Sequence, residues 1–498
     1  GSSLDIDAYY SQYRSLFAFY AYPYYAPNGG QSSIDNFERG IRSTVNTPLD
    51  IGAGAGNIQW GVDYSHIDSR QRMTDGRLLV PDLRQNAVAP FAQASLPVAP
   101  WLTLNGGIRW EDDSIAVNTF TTIPIYTPSL PGGVTVQGGS IDYSKVLFNA
   151  GAVLAPFSGG VLAGASAYAS FSQGFSVGDF GRALRSTTAS SISQFDFKPQ
   201  VINSYEIGLR ADYTGFTGHI AGYFNTSEYG STFNAVTFEL VRAPEHIWGL
   251  EVAWDAKPTD DFGWGGSVSW TNGRTQNIAT GVWSPLDDTR IPPLKLVSYV
   301  QEQFLPQLTG RAQLTYSGNE SRFPNNPAVY GKSDIPAFAI LDLMASYQTD
   351  FGMWTLAVDN ALNEDYYTPD SYIYATNTNF TQGKGATLRS SASSSVSRCT
   401  SGSERFCRIF LPSSSPIATR KIAALRTPLT GCRSRSELAG RRRFGEAIVL
   451  LRTDPALQQP GTLRGFALYM FRNLLEDILG TQLLVGGGLI LAVAAYRP

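Results

Sequence analysis

Cysteine, methionine and histidine are nearly absent from this chain, which has 3 Cys, 4 Met and 3 His among 498 residues. All three cysteines, Cys399, Cys407 and Cys432, lie beyond Ser397, so residues 1–397 form no disulfide and carry no thiol. A long thiol-free segment suits a compartment where a stray thiol would be oxidised, such as the bacterial envelope. Residues 1–397 also lack any run of about 20 apolar residues, which excludes transmembrane helices there. His66, His219 and His246 are isolated, with no pair at i and i+4, so a metalloprotease helix is excluded and no metal site or cofactor is expected. Charge is sparse too, at 16% of residues.

Glycine and aromatics are plentiful: 49 Gly, 27 Phe, 25 Tyr and 9 Trp. With a hydrophobic fraction of 43%, this balance points to a sheet-rich folded protein and not to disorder or a helical bundle. The net charge of −3 hides a split at Ser397. Residues 1–397 hold 23 Lys+Arg against 35 Asp+Glu, whereas residues 398–498 hold 15 against 6 and only seven aromatics. The acidic balance of the first part, with no basic aromatic stripe, argues against nucleic acid as a partner.

Strict alternation runs through residues 1–397. Leu102, Leu104, Ile108 and Trp110 alternate with Thr103, Asn105 and Arg109; Tyr205, Ile207, Leu209 and Tyr213 alternate with Glu206, Arg210 and Asp212. The same holds for Leu250, Val252 and Trp254, for Ala312, Leu314 and Tyr316, and for Trp354, Leu356 and Val358. Period two with one apolar face predicts half-buried strands. Uncharged apolar faces and aromatics at strand ends favour a lipid-facing sheet over a soluble one. Tight turns at 97–100, 214–217, 257–261, 307–309 and 349–352 alternate with long polar links near 73–85, 111–144, 177–199, 278–293, 322–336 and 367–384, the pattern of an outer-membrane barrel. About sixteen strands are expected, from Leu4–Leu16 to Gly385–Val396, with both ends on the short-turn, periplasmic side.

Enzymatic constellations are poor. Gly52-Ala-Gly-Ala-Gly-Asn57 lacks the Lys-Ser/Thr of a phosphate loop and reads as a turn. Glu206, Asp212, Glu251 and Asp255 fall on the lumen parity and read as solvated barrel charges, so no enzyme is expected. The long links are richer: Tyr22, Tyr24, Tyr25, Tyr366, Tyr367, Tyr372 and Tyr374 crowd two of them, and Phe180, Arg182 and Arg185 lie in another. Aromatic faces beside guanidinium groups suit an aryl-bearing anionic ligand such as a ferric catecholate; packing of these rings among themselves is the alternative.

Four stretches occur in order: Tyr168-Ala-Ser-Phe-Ser-Gln-Gly-Phe-Ser176 with Asp179-Phe-Gly-Arg182, then Asn203-Ser-Tyr-Glu-Ile-Gly-Leu209, then Trp248-Gly-Leu-Glu-Val252, then Val358-Asp-Asn-Ala-Leu-Asn363 with Tyr366-Tyr367. Together they resemble the signatures of TonB-dependent outer-membrane receptors of the siderophore type, over about residues 1–390. The resemblance implies a 22-stranded barrel, an amino-terminal plug that contacts the TonB complex, and energised import of ferric siderophores. By that comparison the chain begins inside the family barrel, without signal peptide, plug and about six strands. Gly178 stands where the family usually has Pro, and Ala361 where it usually has Leu. The stretch Gly383-Lys-Gly-Ala-Thr-Leu-Arg389 starts the family's ending but runs into Ser390–Ser397, without the terminal aromatic that the barrel assembly machinery is expected to need.

Residues 398–498 are rich in Arg and Ser and show no sustained alternation. Ile478–Tyr496 is a 19-residue, mostly apolar run broken by Thr481, Gln482 and Gly486–Gly488. A helical span behind an exported barrel would be held in the inner membrane, so a frameshift near Arg389 or a fusion artefact explains the tail better than a genuine extra domain. The expectation is therefore an all-β, transmembrane antiparallel β-barrel, incomplete at about sixteen strands, over 1–397, with a poorly structured or partly helical tail over 398–498. The expected partners are a ferric siderophore, the TonB complex through the missing plug, outer-membrane lipid and the assembly machinery. A passive porin is the alternative function, and an outer-membrane hydrolase using His66 or His219 a more distant one.

Overall fold

The computed structural model describes residues 1–17, 31–123, 132–178, 180–185, 187–195, 198–230, 232–234, 239–288, 290–322, 334–368 and 382–394. One compact unit comprises Gly1–Gln348 and Gly352–Ser393; a second comprises Thr349–Phe351 and Ser394–Pro498, nearly all of it outside the described residues. The tail over 398–498, with its apolar run, lies entirely outside them.

The first unit is an antiparallel meander. β1 (Ser3–Phe17) pairs with β2 (Ser32–Asp50), followed in order by β3 (Ala55–Met73), β4 (Leu78–Ala99) and β5 (Leu102–Val117). The link after β5 carries the small pair β6 (Phe120–Thr121) and β7 (Thr135–Val136). β8 (Gly139–Leu154) and β9 (Ala165–Ser176) resume the sheet, and the single-turn helix α1 (Phe180–Arg185) follows. β10 (Gln200–Tyr213) and β11 (Phe216–Ser227) come next, then a second small pair, β12 (Thr232–Asn234) with β13 (Glu239–Val241). β14 (Glu245–Ala256), β15 (Phe262–Gln276), the short annex β16 (Trp283–Pro285), β17 (Lys295–Leu305), β18 (Leu308–Ser317) and β19 (Phe338–Thr349) continue the ladder. β20 (Gly352–Asp359) pairs with β19, and β21 (Thr387–Ser394) belongs to the same seventeen-stranded sheet. Leaving out the annex gives the sixteen strands expected. The described sheet is not closed.

Exposure separates the two faces. On β10, Ile207 and Leu209 are 67% and 59% exposed, while Glu206 on the other parity hydrogen-bonds across the inner wall. In a bilayer the exposed parity faces lipid. Aromatics bound this apolar band: Trp101 and the tilted pair Trp254–Trp264 lie near the tight turns, and Tyr10, Tyr64, Trp110 and Trp270 toward the long links. From Trp101 to Trp110 the strand rises about 30 Å, or about 23 Å after a tilt of about 40°, which matches an apolar band about 25 Å tall.

The expected link at 73–85 is a correction. β3 and β4 continue to a tip of only four residues, Thr74–Arg77. Above the aromatic level one face of this hairpin packs under the inward-folded segments, with Met73 and Leu79 buried against Ile123, while Asp68-Ser-Arg-Gln-Arg72 carries no apolar alternation although its ladder persists. The link at 111–144 shortens in the same way to 118–138. Gly52, with φ of +80°, turns the chain between β2 and β3, where its N–H donates to Asp50, confirming the glycine-rich stretch as a turn.

Candidate functional site

Cross-strand pairs line the inner parity. Arg109 donates to Asp63 at 2.7 Å, pairs with Glu111, and lies over the Phe91 ring. The Tyr168 hydroxyl donates to Glu206 at 2.5 Å, and Tyr299 donates to Asp255 while Arg311 stacks 3.7 Å above its ring. A cavity of about 370 Å³ lies against this wall beside Asn105, Asn149, Tyr168, Glu206 and Arg210. Hydrogen-bonded carboxylates of this kind make a polar wall for a hydrated interior.

At the long-link end, segments fold inward over this wall. Phe180 and Leu184 of α1, 5% and 0% exposed, enter an apolar cluster with Ile115, Val117, Val136 and Tyr143. Beneath α1 a cavity of about 400 Å³ is bounded by Asn36, Ser69 and Gln85 of the sheet and by Arg185 of the helix. Gln85 donates to Asp113 at 2.7 Å, which fixes its amide.

A second segment, Leu286–Ile291, covers the inner side of Gly273, where a side chain would strike Leu286. Arg290 clamps the buried Glu245 through both guanidinium nitrogens at 2.9 and 2.8 Å. Asp288 accepts the Ser321 and Arg322 backbone N–H groups and the Arg322 guanidinium. These contacts tie the first residue of β14 to the links before β17 and β19.

The third segment is a clasp around Asn360. Its side-chain amide donates to the Glu364 and Lys384 carbonyls and accepts the Glu364 N–H, while its own N–H donates to Asp342. At the tip of the β3–β4 hairpin, the hydrogen bond from Arg77 holds the Asp75 carboxyl below the usual carboxylate range.

The residues expected to bind ligand are spread among these features. Tyr22, Tyr24, Tyr25, Tyr372 and Tyr374 lie outside the described residues. Phe180 is 5% exposed, its ring 6.1 Å from Tyr143, and it borders the cavity beneath α1. Arg182 lies in α1, its side chain outside what is described, whereas Arg185 reaches the cavity. Tyr366 packs 4.7 Å from Phe338 and over Gly383, where any Cβ would overlap its ring; Tyr367 bridges to Gln382. Of the histidines, His66 bonds Asn86 and Asp68, His219 faces inward on β11, and His246 stacks 4.2 Å from Trp283.

The family of TonB dependent receptor-like β-barrels matches residues 2–363. The chain belongs to this family. It is similar to the ferric aerobactin receptor of Klebsiella pneumoniae, at 25% identity over 376 residues, 68% of this chain and 49% of that protein. It is also similar to the rhizobactin receptor of Rhizobium meliloti (strain 1021), at 30% identity over 191 residues, 35% of this chain and 25% of that protein. The chain spans about half the length of the aerobactin receptors it matches. Among solved structures, the copper transporter OprC superposes with a TM-score of 0.62 at 13% identity, covering 77% of this chain and 61% of that one. The FrpB iron transporter of Neisseria meningitidis (F5-1 variant) gives 0.59 at 14%, covering 78% and 60%. At such identities these likenesses establish the fold alone.

TonB-dependent receptors are outer-membrane β-barrels and transport receptors, and the sheet described above is one such barrel wall. Its Val358–Asn363 stretch is explained locally: Asn360 and Asn363 adopt positive φ of 50° and 54°, which Asn tolerates, and their side chains cap the turn. Sequence reasoning missed Asn36, Ser69, Gln85, Glu245 and Arg290. They sit at inner positions or links far apart in the chain, and only register and the inward folds bring them together.

Proposed function

We propose that the protein serves as the barrel of an outer-membrane receptor that, when complete with its plug, imports a ferric siderophore, energised through the TonB complex. The carrying observation is the match of this TonB-dependent receptor barrel to two ferric aerobactin receptors along about 375 residues. The rhizobactin receptor supports the same substrate class. The inward cap of polar and guanidinium groups at the long-link end suits an anionic iron chelate arriving from outside. The lipid-exposed apolar band makes outer-membrane lipid a partner, and insertion would pass through the barrel assembly machinery. In this reading residues 1–397 are receptor barrel and 398–498 are foreign to it, through a frameshift or fusion.

An iron-starved strain lacking its own ferric aerobactin and rhizobactin receptors tests the proposal. With the barrel supplied as part of a receptor that includes the plug, ferric aerobactin or ferric rhizobactin as sole iron source is expected to restore growth only when TonB is intact. Growth on neither, or growth independent of TonB as through a passive channel, would overturn it.

A further inference from the structure

The cavity beneath α1 is built by helix periodicity. Phe180 and Leu184, four residues apart, share the face buried in the apolar cluster. Gly181 and Arg185, also four apart, share the adjacent face and line the cavity, which the edge of Phe180 borders as well. The first pair fixes the roof, and the second gives it a bare stretch of backbone and a guanidinium group. The floor is the inner side of the sheet, where Ile34, Ile67 and Leu83 lie among Asn36, Ser69 and Gln85. No carboxylate belongs to the described lining, whereas Arg70 and Arg185 both do. The Asn36 side-chain oxygen is buried and accepts no hydrogen bond among the described residues, so it is an open acceptor for an N–H or O–H group. At about 400 Å³ the space is near the small end of ligand sites, which run from about 300 to about 1,000 Å³. It fits one arm of a chelate and not the whole complex.

We infer that this cavity is the specificity pocket for one arm of the transported chelate, a short aliphatic chain carrying an amide or hydroxyl donor and ending in an anionic oxygen group, carboxylate or hydroxamate. Arg185 takes the anionic end, Asn36 takes the donor, and the aliphatic floor holds the chain. The inference rests on the siderophore-receptor reading above.

Three variants of the receptor, purified in detergent, test it by quenching of tryptophan fluorescence as ferric aerobactin or ferric rhizobactin is titrated in. Arg185→Gln removes the charge with little change in volume, Asn36→Asp sets a carboxylate in the floor, and Gly181→Leu fills the space. The first two are expected to weaken binding about tenfold or more, the first by losing a charge-assisted hydrogen bond and the second by setting a negative charge beside an anionic arm, and Gly181→Leu at least as much. Should Gly181→Leu dislodge α1, the two volume-conserving variants carry the result. Wild-type protein that binds a siderophore while both of those variants bind within about twofold of it overturns the pocket and leaves the receptor reading standing. Wild-type protein that binds neither siderophore overturns the receptor reading itself.

Discussion

Removing Arg290 should loosen the inward cap by an amount that its geometry sets. Glu245 is 4% exposed, and Arg290 bonds both of its carboxylate oxygens. Arg290→Leu leaves that carboxylate buried without its bidentate cation, and breaking such a pair costs about 3–5 kcal/mol. Because the Arg290 side chain keeps 25% of its surface in solvent, the low end, about 3 kcal/mol, applies. At about 1.4 kcal/mol per tenfold, local opening should rise on the order of 100-fold. Amide hydrogen exchange over residues 284–292 and 318–322, read by mass spectrometry on the protein in detergent, measures it. The double variant Glu245→Leu with Arg290→Leu removes both charges and should regain most of the protection, since an apolar replacement of a buried pair is close to neutral. Exchange in Arg290→Leu within about threefold of wild type would refute the clamp. So would a double variant that exchanges as fast as the single one.

Three further predictions address other layers of the structure. Leu209→Arg, on the exposed parity of β10, should cost about 2–4 kcal/mol in lipid vesicles, against under about 1 kcal/mol for Ser170→Arg on the inner parity; equal losses in urea unfolding would contradict the assigned faces. Asn360→Ala gives up three side-chain hydrogen bonds at about 1 kcal/mol each and a tolerated positive φ, so its unfolding midpoint should fall below that of Asn360→Gly, which loses only the bonds; an Ala variant as stable as wild type would dismiss the clasp. For Asp75, the lowered carboxyl pKa contributes stability that is full above the ordinary value of about 3.9 and fades as pH falls through the lowered one. Exchange at Thr74–Arg77 should therefore accelerate only below about pH 4, and acceleration that starts near pH 6 would count against the Arg77 contact.

The strand count, the lipid-facing parity and the barrel class were legible because period-two patterning is strongest where one face meets lipid, as at Tyr205–Tyr213. Patterning fails where neither face meets lipid, as at Asp68–Arg72, which is why the upper halves of β3 and β4 read as a loop. Phe180 looked like a ligand contact because an aromatic beside arginines in a polar link has that composition. Its burial depends on Val136 of β7 and Tyr143 of β8, which no local signal shows. Arg185 shares that segment, and both residues border the cavity beneath α1. Asn36 and Gln85 were illegible for the opposite reason: each is an ordinary inner-parity amide whose meaning comes only from the roof above it.

The β3–β4 hairpin has a practical consequence. From Tyr64 at the aromatic level to Met73 the paired strands run on for about 30 Å, or about 20–25 Å along the membrane normal. The Arg72–Asp82 ion pair ties the strands just below the tip, and Gly76 turns it at φ of +90°. Backed by β2, which pairs with β3 as far as Ser32 opposite Met73, this extension stands clear of the headgroups. A short epitope spliced between Asp75 and Gly76 would leave the ladder beneath it unbroken, giving an antibody a grip on the intact protein at the surface of a living cell.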